Sequence, residues 1–378
     1  GGVDRRAVDR HDRDAVARLP VTTAKGPRPA SEGIALLQLP EWASPAFWPE
    51  RIAVAVSGGG DSMALLHLVA RIQIPRGASV HAVTVDHRLR PEAAEEARFV
   101  ARFCETLGVA HDTLVWEHGA IAGNLQDQAR RARYSLIGEW ARTKGVAHVL
   151  LGHTADDQAE TFLMGLAREA GIDGLSGMRR TWEQGGILWM RPCLATPRGA
   201  LRAYLNREDI GWIEDPSNED PRFQRVRARR ALAALAPLGV SAEGLARVAS
   251  NLALARADLV ELAHRASREI ARTEAGAVIL DRAKWMRAGN DTRRRILVAA
   301  LRWVSSAEYA PRAEQIARLE EAIRQGRHTT LAGCRVRATD DAVQVSREAK
   351  AVAGLESPTD AIWDGRWRLT GPHDPALR

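Results

Sequence analysis

Between Arg51 and Arg168 short β-branched runs alternate with helical stretches, and no other feature limits the fold as tightly. Ile52–Val56, Val80–Val85, Thr113–Trp116 and His148–Leu151 read as strands. Ser62–Arg71, Pro91–Leu107, Leu125–Thr143 and Asp156–Arg168 read as helices. Strands separated by helices of this length imply right-handed βαβ units and a parallel, doubly wound α/β sheet. Such sheets bind ligands at the carboxyl ends of their strands. The loops that carry chemistry here all follow strands, as that rule requires.

The first of these loops reads Ser57-Gly58-Gly59-Gly60-Asp61-Ser62, between a strand and a helix. Glycine lets backbone N–H groups approach a ligand closely and costs conformational entropy in return. The following helix aims its positive N-terminal end at the loop, so the expected guest is an anion, a phosphate above all. A Walker A loop would need a lysine that is missing here, and a dinucleotide fingerprint would need a different glycine spacing. A tight turn without a ligand is the plain alternative. Against it stand the hydroxyls of Ser57 and Ser62 and the Asp61 carboxylate, the oxygen donors that Mg²⁺ prefers when it bridges to phosphates.

Composition bounds the remainder. The chain has 378 residues, enough for two or three domains with real cores, and is 45% hydrophobic and 27% charged, as in ordinary globular proteins. No stretch approaches the roughly 20 apolar residues of a membrane span, so no membrane partner is expected. The first residues lack the apolar core of a signal peptide. Cys104, Cys193 and Cys334 lie far apart, which fits a reducing compartment, and the cytoplasm is the expected location. The net charge of +7 agrees with a polyanionic partner, although arginine carries almost all of the basicity, as a coding bias would also produce.

Residues 1–48 have weak periodicity and several prolines and read as a poorly ordered extension. Residues 49–235 form the α/β domain. Residues 236–350 are rich in Ala, Leu and Arg and read as a smaller, mainly helical domain. Near its end, TLAGCRVRATDDAVQVSRE alternates about Asp340-Asp341 and reads as a hairpin. Residues 351–378 read as a truncated tail.

SGGGDS after an apolar strand resembles the PP-loop of the N-type ATP pyrophosphatases. Asp86-His87-Arg88-Leu89-Arg90, Asn124-Leu125-Gln126 with Ala129-Arg130 and Arg133-Tyr134, and Gly152-His153-Thr154-Ala155-Asp156-Asp157-Gln158-Ala159-Glu160-Thr161 follow it. Gly174-Leu175-Ser176-Gly177-Met178, Arg191-Pro192 and Asp215-Pro216-Ser217-Asn218 complete the series. In this order they resemble the motifs of tRNA-Ile lysidine synthetases, over about Ile52 to Arg230. Departures occur at Arg168-Glu169-Ala170-Gly171, at Cys193, and at Arg225-Val226-Arg227-Ala228-Arg229, where the family's asparagine is missing.

The resemblance implies ATP-driven ligation of free lysine to C2 of the wobble cytidine of tRNA-Ile with a CAU anticodon, through an adenylated cytidine. It implies ATP bound by Ser57, Gly58, Gly59, Gly60, Asp61 and Ser62, and Mg²⁺ held by Asp61 and Asp156. Asp156 also suits a helix N-cap, and that alternative stays open. Asp157 and Glu160 lie three apart on one helix face and are expected to hold the lysine. Asp61, His153, Asp157, Arg130 and Arg133 form the expected catalytic set, with His153 accepting a proton or touching phosphate. Arg130 and Arg133 read equally as a solvated helix face. Arg222, Arg225, Arg227 and Arg229 are expected to contact tRNA phosphates, with a solvated turn as the alternative. A homodimer stays open beside a monomer. The rivals are a PP-loop tRNA thiolase, disfavoured because no CxxC pair exists, and a non-catalytic nucleotide- or RNA-binding module.

Overall fold

The computed structural model describes residues 36–37, 49–119, 123–214, 220 and 222–370. The strands β1 (Arg51–Ala55), β2 (Ser79–Asp86), β3 (Ala110–Val115), β4 (His148–Leu151), β5 (Thr181–Gln184) and β6 (Ile187–Met190) form one sheet in the order β3-β2-β1-β4-β6-β5. Every neighbouring pair is parallel except β5–β6. Between the strands run α1 (Gly60–Gln73), α2 (Ala93–Leu107), α3 (Leu125–Thr143) and α4 (Ala155–Leu166). Ile52 and Val54 pack on one face with Leu65, Leu66 and Val69 of α1, whereas Ala53 packs on the other with Ile137, Trp140 and Trp189. A parallel sheet covered on both faces needs near-continuous apolar strands, which is why they stood out in the sequence. Each such side chain, fully buried, contributes roughly 1.5–3 kcal/mol.

The strand order reverses between β1 and β4, which pair through Ala53↔Val149 to Ala55↔Leu151. The doubly wound rule places the ligand crevice at this point. It brings the loops after β1 and β4 side by side. The β5–β6 hairpin was not anticipated. Gly185 and Gly186 both take positive φ, 63° and 76°, in the two-residue turn that joins its strands. Beyond β6 come α5 (Arg198–Arg207), α6 (Gln224–Leu235) and α7 (Ala242–Ile270).

Leu37 is buried in the core of the α/β region, and Thr196 Oγ1 donates to the Leu36 carbonyl at 2.7 Å. Part of the stretch expected to be poorly ordered is therefore docked, because an apolar pair there finds a core to join. The remainder of residues 1–48 lies outside the described residues.

The chain divides into two compact units, the second starting at Leu254 within α7. The second holds β7 (Ala271–Glu274), β8 (Ala277–Asp281), α8 (Arg282–Arg287), α9 (Asn290–Ser305), α10 (Ala313–Arg324), β9 (Thr329–Leu331), β10 (Cys334–Ala338), β11 (Ala342–Arg347), β12 (Ile362–Trp363) and β13 (Trp367–Arg368). The expected hairpin is β10–β11, paired through Val336↔Val345. It belongs to an antiparallel sheet of five strands, β7-β8-β11-β10-β9. Cys334, Val336 and Ala338 face Trp285, Leu297, Leu301 and Ile323, while Arg335 and Arg337 alternate outward. Within the expected tail, Asp364 makes two 2.8 Å hydrogen bonds with Arg347 beside the β12–β13 pair. A carboxylate buried on so specific a partner organises the residues around it.

Candidate active site

The loop after β1 is held in shape by its own serines. Ser57 N donates to Ser62 Oγ at 3.1 Å, and Ser62 Oγ donates to the Gly59 carbonyl at 2.9 Å. Gly58 has φ +82°, and a Cβ there would stand 2.6 Å from Ile213 Cδ1, so this position requires glycine. Gly59 is the N-cap of α1 and offers no side-chain cap, which leaves first-turn N–H groups for an outside acceptor. Gly152, after β4, is pinned by contact: its Cβ would lie 2.9 Å from Ser62 Cα. The two loops touch because both positions lack side chains or turn them inward.

The loop after β4 leads into α4 through a capping arrangement. Asp157 Oδ2 accepts from Thr154 N at 2.8 Å and from Thr154 Oγ1 at 2.9 Å. Its other oxygen, Oδ1, faces Arg225 at 3.2 Å and Arg198 at 3.3 Å. These cations, the Thr154 N–H and His153 outweigh burial and hold the Asp157 carboxyl below its usual range. One turn on, Glu160 is 1% exposed and accepts from Arg229 Nε at 3.0 Å and Nη2 at 2.9 Å. The two carboxylates do share a face. That face is already lined with arginines.

At the centre sits Arg198, which belongs to none of the sequence motifs. Its guanidinium meets Asp61 at 2.9 Å, Asp157 at 3.3 Å and Glu160 at 3.6 Å. Burial alone would lower its pKa, but the three carboxylates raise it. For Asp61 the balance is reversed: burial raises the pKa and Arg198 only partly offsets it. Asp61 Oδ1 and Glu160 Oε2 are buried and have no hydrogen-bond partner. Asp156 does not join them. Its Oδ2 accepts from the backbone N–H of Arg198 at 2.7 Å, so it caps the start of α5 rather than of its own helix.

The tRNA set from the sequence splits. Arg225 and Arg229 turn inward to Asp157 and Glu160, as just described, rather than presenting a continuous basic surface. Arg222 is exposed and pairs locally with Asp220 at 2.7 Å; Arg227 is exposed on the outer side of α6. The cause is helical geometry: alternate residues of one run cannot share a face. Asp215-Pro216-Ser217-Asn218 lies outside the described residues.

On the opposite wall, Asn124 caps α3 by accepting from Gln126 N and Asp127 N. Arg133 lines the cleft, whereas Arg130 rests over the Tyr134 ring at 5.1 Å. The Tyr134 hydroxyl accepts from Arg191, whose Nε donates to His153 Nδ1 at 3.1 Å. The GLSGM motif has a structural task. Gln158 clamps Met178 N at 2.6 Å and would clash with any Cβ on Gly177. Together these walls enclose a cleft of about 1080 Å³ that includes the Ser57–Ser62 loop, His87, Arg133, His153 and Arg229. No group of three or more His, Cys, Asp or Glu side chains among the described residues forms a self-sufficient metal site. A Mg²⁺ carried mainly by phosphates needs only one or two such ligands.

The PP-loop domain family matches residues 36–236. A tRNA(Ile)-lysidine synthase of Ruegeria pomeroyi is 47% identical over 86% of this chain and 77% of its own length. One from Hyphomonas neptunium is 38% identical over 83% of this chain and 84% of its own. Among solved structures, the U34-tRNA thiolase NcsA from Methanococcus maripaludis with its [4Fe-4S] cluster aligns with TM-score 0.46 and 16% identity, over 53% of this chain and 72% of its own.

Proposed function

From the premise that the chain belongs to the tRNA(Ile)-lysidine synthase family, and so is an ATP-using carbon–nitrogen ligase acting on tRNA-Ile, we propose how its cleft divides the work. The C2 oxygen of the wobble cytidine attacks the α-phosphorus of ATP, and pyrophosphate leaves. The amine of free lysine then attacks C2, and AMP leaves with the former C2 oxygen. The Ser57–Ser62 backbone and the N-terminus of α1 receive the pyrophosphate, with Arg133 beside them. Mg²⁺, when bound, neutralises phosphate charge. Asp61 Oδ1, a buried oxygen with no partner, suits one of its ligand positions.

Lysine arrives protonated, since its side-chain amine has a pKa of about 10.4, and must lose a proton before it attacks. Glu160 Oε2, buried without a hydrogen bond and only loosely paired with Arg225 at 3.9 Å, suits that ammonium, next to Asp157 Oδ1. Arg225 and Arg229, with side chains 44% and 39% exposed, then act as exchangeable counter-ions that yield when the substrate cation enters. The observation that carries this reading is the pair of buried carboxylate oxygens without hydrogen bonds, Asp61 Oδ1 and Glu160 Oε2, at the cleft that the Ser57–Ser62 loop lines.

Buried cysteines oppose the thiolase alternative. All three are enclosed, and burial pushes the Cys104 and Cys193 thiols up to about 12, far from the thiolate that sulfur transfer needs. Free buried thiols also support a cytoplasmic location. Incubation with ATP, Mg²⁺, labelled lysine and a tRNA-Ile transcript with a CAU anticodon tests the proposal. Label should enter the tRNA with stoichiometric AMP and pyrophosphate. Sulfur incorporation from cysteine, or no pyrophosphate release, would overturn it.

A further inference from the structure

Arg191 belongs to the motif series, yet the reaction as described gives it no task. It is 4% exposed. Among the described residues no carboxylate pairs with it, although a guanidinium enclosed in this way is costly without compensation. Its bonds go elsewhere. It donates to the Arg179 carbonyl, to the Tyr134 hydroxyl at 3.3 Å and, through Nε, to His153 Nδ1 at 3.1 Å. Its Cζ lies over the Trp182 ring, 4.1 Å from the ring centroid. Four walls therefore fix the orientation of one guanidinium, and one of those bonds ends on an imidazole of the cleft.

A guanidinium nitrogen is a donor only, so the bond requires Nδ1 of His153 to present its lone pair. The neutral ring then carries its proton on Nε2, the edge away from Arg191. His153 lines the cleft, and its Nε2 has no partner among the described residues. We propose that Arg191 is a positioning residue that locks His153 in the Nε2–H tautomer, so that His153 donates a hydrogen bond to a nucleotide oxygen and does not act as the proton acceptor. This rests on the ATP-using reading of the cleft.

The charges around the ring support the same state. Burial lowers the His153 pKa well below its ordinary value. Asp157 on α4 opposes this, while Arg191 after β6, Arg133 on α3 and Arg225 on α6 reinforce it. Protonating Nδ1 would set a cation against the Arg191 Nε–H.

Two measurements test the assignment independently. In wild-type protein with ¹⁵N-labelled histidine, a long-range ¹H–¹⁵N correlation spectrum reads the tautomer without any turnover. The expected pattern is a proton on Nε2, bare Nδ1 and no titration of His153 between pH 6 and 8 (a window set by the ordinary value of about 6.5). An Nδ1–H tautomer, or titration inside that window, overturns the proposal. The second measurement is pyrophosphate release with ATP and the tRNA transcript. His153→Ala removes the donor and should lower kcat on the order of 100-fold, while His153→Gln, whose amide can donate from the same place, should lose less than about tenfold. Equal losses in both variants would mark a base and overturn the donor role. Arg191→Met should restore titration to His153 in the spectrum. If the wild type releases no pyrophosphate, the ATP-using reading fails while the tautomer result still stands.

Discussion

The two sheets treat charge in opposite ways. The parallel sheet of the first unit is buried on both faces, so its polar residues gather where strands end, and there Arg198, Asp61, Asp157 and Glu160 share one enclosed cluster. The antiparallel sheet of the second unit has a dry face of Cys334, Val336 and Val345 and a wet face with Arg335 and Arg337. Charge on that wet face costs little and organises little. Charge in the enclosed cluster is expensive, and each group depends on its neighbours. An interdependent buried cluster is where function is to be sought first.

The sharpest way to break this contrast is Arg198→Met. Removing the cation shared by three enclosed carboxylates should cost roughly 3–5 kcal/mol in the first unit, whereas Arg337→Met should stay within about 0.5 kcal/mol. Denaturant titrations of the two variants decide it, and equal shifts would erase the distinction. Next in size is Glu160→Gln. Loss of a charged hydrogen bond of about 1.5–3 kcal/mol should raise the lysine KM about 10- to 100-fold with ATP KM unchanged. An unchanged lysine KM would move the ammonium site away from α4.

A smaller effect separates the arginines of α6. Arg227→Ala, on the exposed side, should reduce the log–log salt slope of tRNA binding by about 0.9 if it contacts one phosphate. Arg225→Ala should leave the slope alone and alter lysine KM instead. The reverse outcome would return Arg225 to the RNA surface. Smallest is a pH effect. Because the fold holds the Asp157 carboxyl below its ordinary value of about 3.9, its stabilisation is fully present above that pH and lost as pH falls through the depressed value. Acid titration of Asp157→Asn should therefore lack that part of the acid limb, while its stability changes little with pH above about 4.

Legibility followed the physics of each region. Helix α3 reads from Leu125 to Thr143 in sequence and in structure because Asn124 is a local cap and the apolar pattern is long. β4 reads correctly at His148–Leu151 for the same kind of reason, a short apolar run between turns. The β5–β6 pair escaped notice because four-residue strands carry little periodicity, although Gly185-Gly186 signalled their turn. Asp61, Asp157 and Glu160 were visible as residue types in motif context. Their pairing with arginines was not. Arg198 is 137 residues from Asp61, and Arg229 is 69 from Glu160, and no local pattern carries information across such distances.

By itself, then, the sequence determined the alternation of strands and helices, the glycine-rich loop after β1 and the family of motifs that follows it. These rest on hydrogen bonds and side-chain periods that span a few residues. Only the tertiary structure decided that Asp156 caps α5, that Arg225 and Arg229 face carboxylates, and that Arg191 fixes the imidazole of His153. Each of those outcomes depends on which enclosed charges the fold brings together, because a group taken out of water must find its partner wherever the packing places one.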